Sequence, residues 1–145
     1  FSAERSGGLP IGDVIRTCFS GEYTQKEVYS MVVGKGGMVA YTGVNDLRVL
    51  TEKANEGDAK IQELVDAYYF QIAKEIACKS IALHGQVDQI ILTGGVAYGK
   101  EAVAAITDLV SWIAPVTVYP GEMEMLALAQ GVLRVMNGEE KALEY

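Results

Sequence analysis

Ile90-Ile91-Leu92-Thr93-Gly94-Gly95 is the stretch on which the fold turns. An apolar, β-branched run broken by two glycines predicts a strand over Val87 to Thr93, buried on both faces, and then a helix to about Trp112. Downstream, Val116 to Tyr119 predicts a second buried strand and Pro120-Gly121 a turn. Glu122 to Asn137 predicts the last helix, ended by Gly138. Upstream, Ile61, Leu64, Val65, Tyr68, Ile72, Ile76 and Ile81 keep a helical period across Asp58 to Leu83. Helix, strand, helix, strand, helix is the order of an α/β layer, with mainly parallel strands and helices packed on the sheet.

The front half reads less regularly. Phe1 to Pro10 is loop-like, and Ile11 to Phe19 predicts a short helix ended by Gly21. Thr24 with Glu27 has the capping-box spacing and opens a helix to about Val33. Gly34-Lys35-Gly36-Gly37 predicts a tight connection, since a phosphate loop would follow a strand and precede a helix. Met38 to Thr42 is short, apolar and β-prone and predicts a strand. Asn45 or Asp46 then caps a helix to about Glu56.

The 145 residues amount to one domain's worth of chain, able to bury about 70% of its unfolded surface without a disulfide scaffold. Half of them are apolar and 21% are charged, a balance that excludes a disordered tail, a collagen-like fibre or a coiled coil. The net charge is −7 and the four arginines are scattered, so nucleic acid is not an expected partner. No signal peptide and no uncharged apolar run of about 18 residues is visible; no membrane partner and a cytoplasmic setting are the expectations. Cys18 and Cys78 lie in apolar helical patterns and read as buried reduced thiols. His84, before Gly85, reads as a helix-end residue, so a zinc site or a Ser-His-Asp triad is not expected.

In open α/β sheets ligands bind beyond the carboxyl ends of the strands. Gly94 and Gly95 let ligand atoms approach the backbone there, and the following helix offers free N–H groups. A phosphate or a nucleotide is the natural guest; a plain strand-to-helix turn is the alternative. Gly94, Gly99 and Lys100 also fit G-x-x-x-x-G-K, but Glu101 stands where a P-loop carries a hydroxyl for Mg²⁺. A carboxylate there would repel phosphates, so Lys100 reads as a solvated first-turn residue.

Four segments together resemble the acetate and butyrate kinase family: Phe1-Ser2-Ala3-Glu4-Arg5-Ser6-Gly7-Gly8-Leu9-Pro10, Val39-Ala40-Tyr41-Thr42-Gly43-Val44-Asn45-Asp46-Leu47-Arg48, Leu92-Thr93-Gly94-Gly95-Val96-Ala97-Tyr98 and Tyr119-Pro120-Gly121-Glu122-Met123-Glu124. They stand in family order and cover essentially the whole chain. The resemblance implies two domains of the actin-like ATPase type, with ribonuclease-H-like topology and a cleft between them. It implies that residues 1–145 are the back part of the second, nucleotide-binding domain. The first domain, with its phosphate-binding hairpin and one wall of the acyl site, would be a missing partner. So would the start of the second domain, with a further phosphate loop and a histidine.

The implied reaction is transfer of the ATP γ-phosphoryl group to a short-chain carboxylate, giving ADP and an acyl phosphate. Such transfer is mostly positioning and electrostatics. By resemblance, Arg5 holds the small-molecule carboxylate and the migrating phosphoryl group, a task suited to a planar, permanently charged guanidinium. Asp46 and Arg48 match the family's Asp-x-Arg at the nucleotide pocket, for ribose hydroxyls and the adenine face; as plain structure they read as a helix cap and a first-turn charge. Thr93, Gly94, Gly95 and Val96 match its adenosine motif, and the continuation Ala97-Tyr98-Gly99 favours the butyrate kinase branch. Glu124, or else Glu122, corresponds to a glutamate linked to Mg²⁺; dipole-favourable acids in a first turn are the alternative.

In the last helix Ala127, Ala129 and Gly131 suggest close packing, either at an interdomain hinge or on the sheet. Exposed apolar surface near Met38 to Thr42 suggests a homo-oligomer. The residues do not separate acetate, butyrate or branched acids as substrate, and a non-enzymatic nucleotide-binding module is the rival from another class. The chain alone is expected to lack kinase activity.

Overall fold

The computed structural model describes residues 1–143. Seven α-helices and two strands follow in the order α1 (Ile11–Cys18), α2 (Gln25–Val32), α3 (Gly37–Thr42), α4 (Leu47–Asn55), α5 (Ala59–Ser80), β1 (Ile90–Gly94), α6 (Lys100–Val110), β2 (Val116–Pro120) and α7 (Glu124–Met136). β1 and β2 pair in parallel from Ile90 opposite Val116 to Gly94 opposite Pro120, and α6 makes the crossover between them. This is the α/β unit expected of the back half.

Its core is small and lies where α4, α5, α6 and β1 meet. Leu50 and Val110 are fully buried, and Val65, Tyr69, Ala73, Ile90, Ala102 and Ile106 surround them. Local chemistry sets the helix starts. Thr24 and Glu27 form the reciprocal capping box, Asp58 accepts from Lys60 N and Ile61 N, and Asp46 accepts from Arg48 N. His84 ends the turn after α5 in a left-handed conformation at φ 53°, the role expected of it.

Several sequence expectations need correction. Met38–Thr42 is helical, not a strand. The first N–H groups of a helix need outside acceptors. Here Ser2 O accepts from Met38 N at 3.1 Å and Ala3 O from Val39 N at 3.0 Å, while Gly43 closes the C-terminus at φ 70°. β1 is buried on one face only: Ile90 is inside, whereas Ile91 is 60% exposed. β2 is likewise half-buried to exposed.

Cys18 and Cys78 are exposed, and among the described residues α1 buries none of its side chains. Nor does α7 pack closely; it buries no residue, and a Cβ on Gly131 would meet only the tip of Arg134. The accessible surface is 10846 Å², against about 7,300 Å² for a closed monomer of this mass. The 70% burial read from length therefore does not hold. The composition is that of a core-forming chain, but many of its apolar residues lie on open faces.

Candidate functional site

The Gly34–Gly37 connection holds the N-terminal segment that carries Arg5. Glu4 O accepts from Gly34 N at 2.9 Å and from Gly36 N at 3.1 Å, and Ser6 N donates to Val32 O at 3.1 Å. The segment passes so close that a Cβ on Gly36 would sit 2.5 Å from Met31 O and one on Gly37 would sit 2.0 Å from Ser2 O. These glycines make a backbone crossing, as the tight-connection reading requires. The crossing fixes the backbone of Arg5 in an antiparallel bridge to Val33. The Arg5 side chain is exposed, and among the described residues its guanidinium makes no hydrogen bond or ion pair.

A second link ties this segment to α4. Asn45 Nδ2 donates to Glu4 Oε1 at 2.5 Å. Asp46 follows, with two tasks: Oδ1 caps α4 by accepting from Arg48 N at 2.9 Å, and the carboxylate pairs with the Arg48 side chain. Nε donates to Oδ1 at 3.1 Å and Nη2 to Oδ2 at 2.7 Å. The hydrogen bond from the Arg48 side chain, followed by that from its backbone, holds the Asp46 carboxyl down to about 2. The same pair raises Arg48 above its ordinary value. Asp46 is thus the helix cap, and Arg48 the first-turn charge, of the plain structural reading.

Asp46 and Arg48 line one cavity of about 690 Å³ together with Gly95 and Val96, within the range of small-molecule sites. Leu47, Tyr69 and Ala102 give it apolar surface, and Thr51, Asn55, Tyr98 and Glu101 complete its sides. Two segments far apart in sequence thus converge on one space. Gly94 stands at φ 81° and ψ −173°, a conformation restricted in practice to glycine. A Cβ built on Gly94 or Gly95 meets nothing within 4 Å. The backbone there is open to a ligand at close range, and no side chain plugs it.

Thr93 and Gly94 do not line the cavity; they face the second strand. Gly94 and Gly121 exchange backbone hydrogen bonds at 3.1 and 3.2 Å, and Thr93 Oγ1 donates to Gly121 O at 3.3 Å. That clasp sets the glycine turn beside Glu122. Glu122 and Glu124 are exposed at the start of α7 and outside the cavity. Among the described residues no three His, Cys, Asp or Glu side chains gather as a metal cage. Lys100 is exposed in the first turn of α6, as expected, and Glu101 is bonded to Asn55. Sequence reading did not find Asn55, Thr51 or Tyr69 as lining residues. For Thr51 and Tyr69 the available signal was their position on the inward stripes of α4 and α5; exposed Asn55 carried none.

Comparison with known proteins gives a consistent picture. A "Probable butyrate kinase" of Clostridium botulinum (strain Alaska E43 / Type E3) is 52% identical over 145 residues, 100% of this chain and 41% of that protein. "Butyrate kinase 1" of Clostridium acetobutylicum is 54% identical over the same 145 residues, again 41% of its length. The chain thus spans about two fifths of the curated relatives it matches. The crystal structure of Porphyromonas gingivalis acetate kinase superposes with a TM-score of 0.71 at 18% identity, over 90% of this chain and 39% of that one. That likeness shows the fold, the actin-like α/β architecture anticipated from the motifs. Residues 3–130 match the Acetokinase family, and with relatives of this identity along its whole length, the chain belongs to that family.

Proposed function

We propose that residues 1–145 are the back part of the nucleotide-binding second domain of a two-domain carboxylate kinase, one that moves the ATP γ-phosphoryl group to butyrate and yields butanoyl phosphate and ADP. The observation that carries this reading is the convergence of Asp46, Arg48, Gly95 and Val96 on one open cavity, in a chain whose relatives bear the name butyrate kinase.

In this reading the ribose hydroxyls donate to Asp46, and Arg48 lies along the base. Thr93, Gly94, Gly95 and Val96 bring backbone against the nucleoside. Arg5 stands at the cleft side of the domain to hold the substrate carboxylate and the phosphoryl oxygens. Mg²⁺ commonly takes one or two carboxylates and completes its shell with phosphates and water. Glu124, or Glu122, meets that demand, and the cation would neutralise charge on the nucleotide phosphates. The remaining three fifths of the relatives' length would supply the other phosphate contacts and the acyl pocket. It would also cover apolar side chains such as Trp112 and Met125, which are 76% and 81% exposed. A homo-oligomer and a cytoplasmic setting belong to the same reading.

Trapping of the acyl phosphate by hydroxylamine tests it. The full natural chain containing these residues, given ATP, Mg²⁺ and butyrate, is expected to turn over, and residues 1–145 alone are not. Pre-organised charge is the main catalyst, and half of it lies elsewhere. Turnover by the 145 residues alone would overturn this division of labour. Failure of the full chain with butyrate, acetate and branched acids alike would overturn the kinase reading.

A further inference from the structure

Glu4, the residue before Arg5, is bonded to Asn45, the residue before Asp46. Asn45 Nδ2 donates to Glu4 Oε1 at 2.5 Å, between positions 41 apart in sequence. Among the described residues no other side-chain hydrogen bond joins residues 1–36 to the rest of the chain.

The two ends of this bond are anchored differently. Asn45 leads into α4, whose Leu50 is fully buried and whose Leu47 packs on the core. The loop before it is held too, since Val44 N donates to Thr42 Oγ1 at 3.0 Å. Arg5, by contrast, sits in a small closed turn: Ser2 N donates to Arg5 O at 2.9 Å and Arg5 N to Ser2 Oγ at 3.2 Å. A shift of Glu4 therefore carries the Arg5 backbone with it. The bonds of this turn to Val33, Gly34 and Gly36 follow α2, and neither α1 nor α2 has a buried residue. Ser2 O and Ala3 O tie the turn to the start of α3. The Glu4–Asn45 bond adds a second attachment, at the start of α4, and so opposes a swing of the turn about the first.

We propose that Glu4 and Asn45 are positioning residues for phosphoryl transfer. Their hydrogen bond fixes the turn that carries Arg5 against the start of α4, so that the guanidinium meets the transferred group in register with a nucleotide held beside Asp46. The inference rests on the carboxylate kinase reading of Arg5 and Asp46 and adds to it what sets their spacing. A misplacement of about 1 Å in such an arrangement can cost about a hundred-fold in rate.

Acyl phosphate trapping and ADP calorimetry on variants of the full natural chain test it. Glu4→Ala and Asn45→Ala are each expected to lower kcat about ten-fold, between the loss of one hydrogen bond and a full misplacement. ADP affinity is expected to change less than about three-fold, which also reports an intact fold. The double variant is expected to fall no further than either single one, as for two residues acting through one bond. Asn45→Asp sets carboxylate against carboxylate and is expected to lower kcat likewise. Adding Glu4→Gln to it exchanges donor and acceptor, since the new amide can donate to the new carboxylate, and is expected to recover most of that loss. Unchanged kcat in the alanine variants would overturn the proposal, and so would additive losses in the double variant. Failure of the exchange to restore kcat, or ADP affinity falling in step with it, would overturn it as well. If the unaltered full chain forms no acyl phosphate, the kinase reading itself falls; if it does and the variants behave like it, that reading stands and only this inference falls.

Discussion

Replacing Gly37 by alanine puts a methyl group where the chain has no room for one. The added carbon would sit 2.0 Å from Ser2 O and 2.8 Å from Arg5 O, against ordinary contact from 3.4 Å. The first approach is therefore about 1.4 Å too close. Both obstacles are backbone, so no side chain can swing away. Gly37 also sits at φ 58°, where an L-residue costs roughly 1–2 kcal/mol. Moving Ser2 out of the way breaks the Met38 N to Ser2 O bond and loosens Val39 N to Ala3 O. Each such bond contributes about 1 kcal/mol net. The expected loss is about 3–4 kcal/mol by urea unfolding, with faster amide exchange at Gly34, Gly36, Met38 and Val39. If Arg5 and the α4–α6 cavity serve as proposed, the variant in the full natural chain is expected to lower kcat while ADP affinity changes less than three-fold. Unchanged stability together with unchanged exchange at those four amides would refute the crossing argument. An ADP affinity that falls in step with kcat would refute the separation of the two sites.

Three further outcomes are expected. The carboxyl of Asp46 titrates near 2 against an ordinary 3.8; its depressed value means that its contribution is present above about pH 4 and is lost as pH falls through 2. An NMR titration of Arg48→Met should move that midpoint back up. Gly95→Val should leave the unfolding midpoint nearly unchanged, since space is free at that Cβ, yet weaken ADP binding at least ten-fold by filling the approach; unchanged binding would place the nucleotide elsewhere. Leu50→Ala, at a fully buried position between α4, α5 and α6, should cost about 3 kcal/mol in urea, and a loss below 1 kcal/mol would mean that this core is not what holds the helices.

Elements governed by neighbours in sequence were legible before any coordinates. Thr24 and Glu27 cap each other across three residues, Asp46, one of the two residues expected to do so, caps α4, and the long period of α5 is carried on its own face. The βαβ order and the open glycine turn were legible for the same reason. Met38–Thr42 was not, because its helix depends on acceptors at Ser2 and Ala3, more than thirty residues earlier. The burial of Cys18, Cys78 and Ile91 was misread because an apolar pattern records which side needs a cover and says nothing of where the cover comes from.

Family motifs, helix caps and the strand-breaking glycine pair can be read from the order of the residues alone. It takes the packed chain to show that Asp46 and Arg48 share a cavity with Gly95 and Val96, that Thr93 turns to Gly121 instead, and that Asn55 and Glu101 are bonded to each other in the cavity lining. Caps and periods are set by bonds over three or four residues. A cavity is set by how α4 and α6 pack through α5 and the core around Leu50 and Val110, and that is a property of the whole fold.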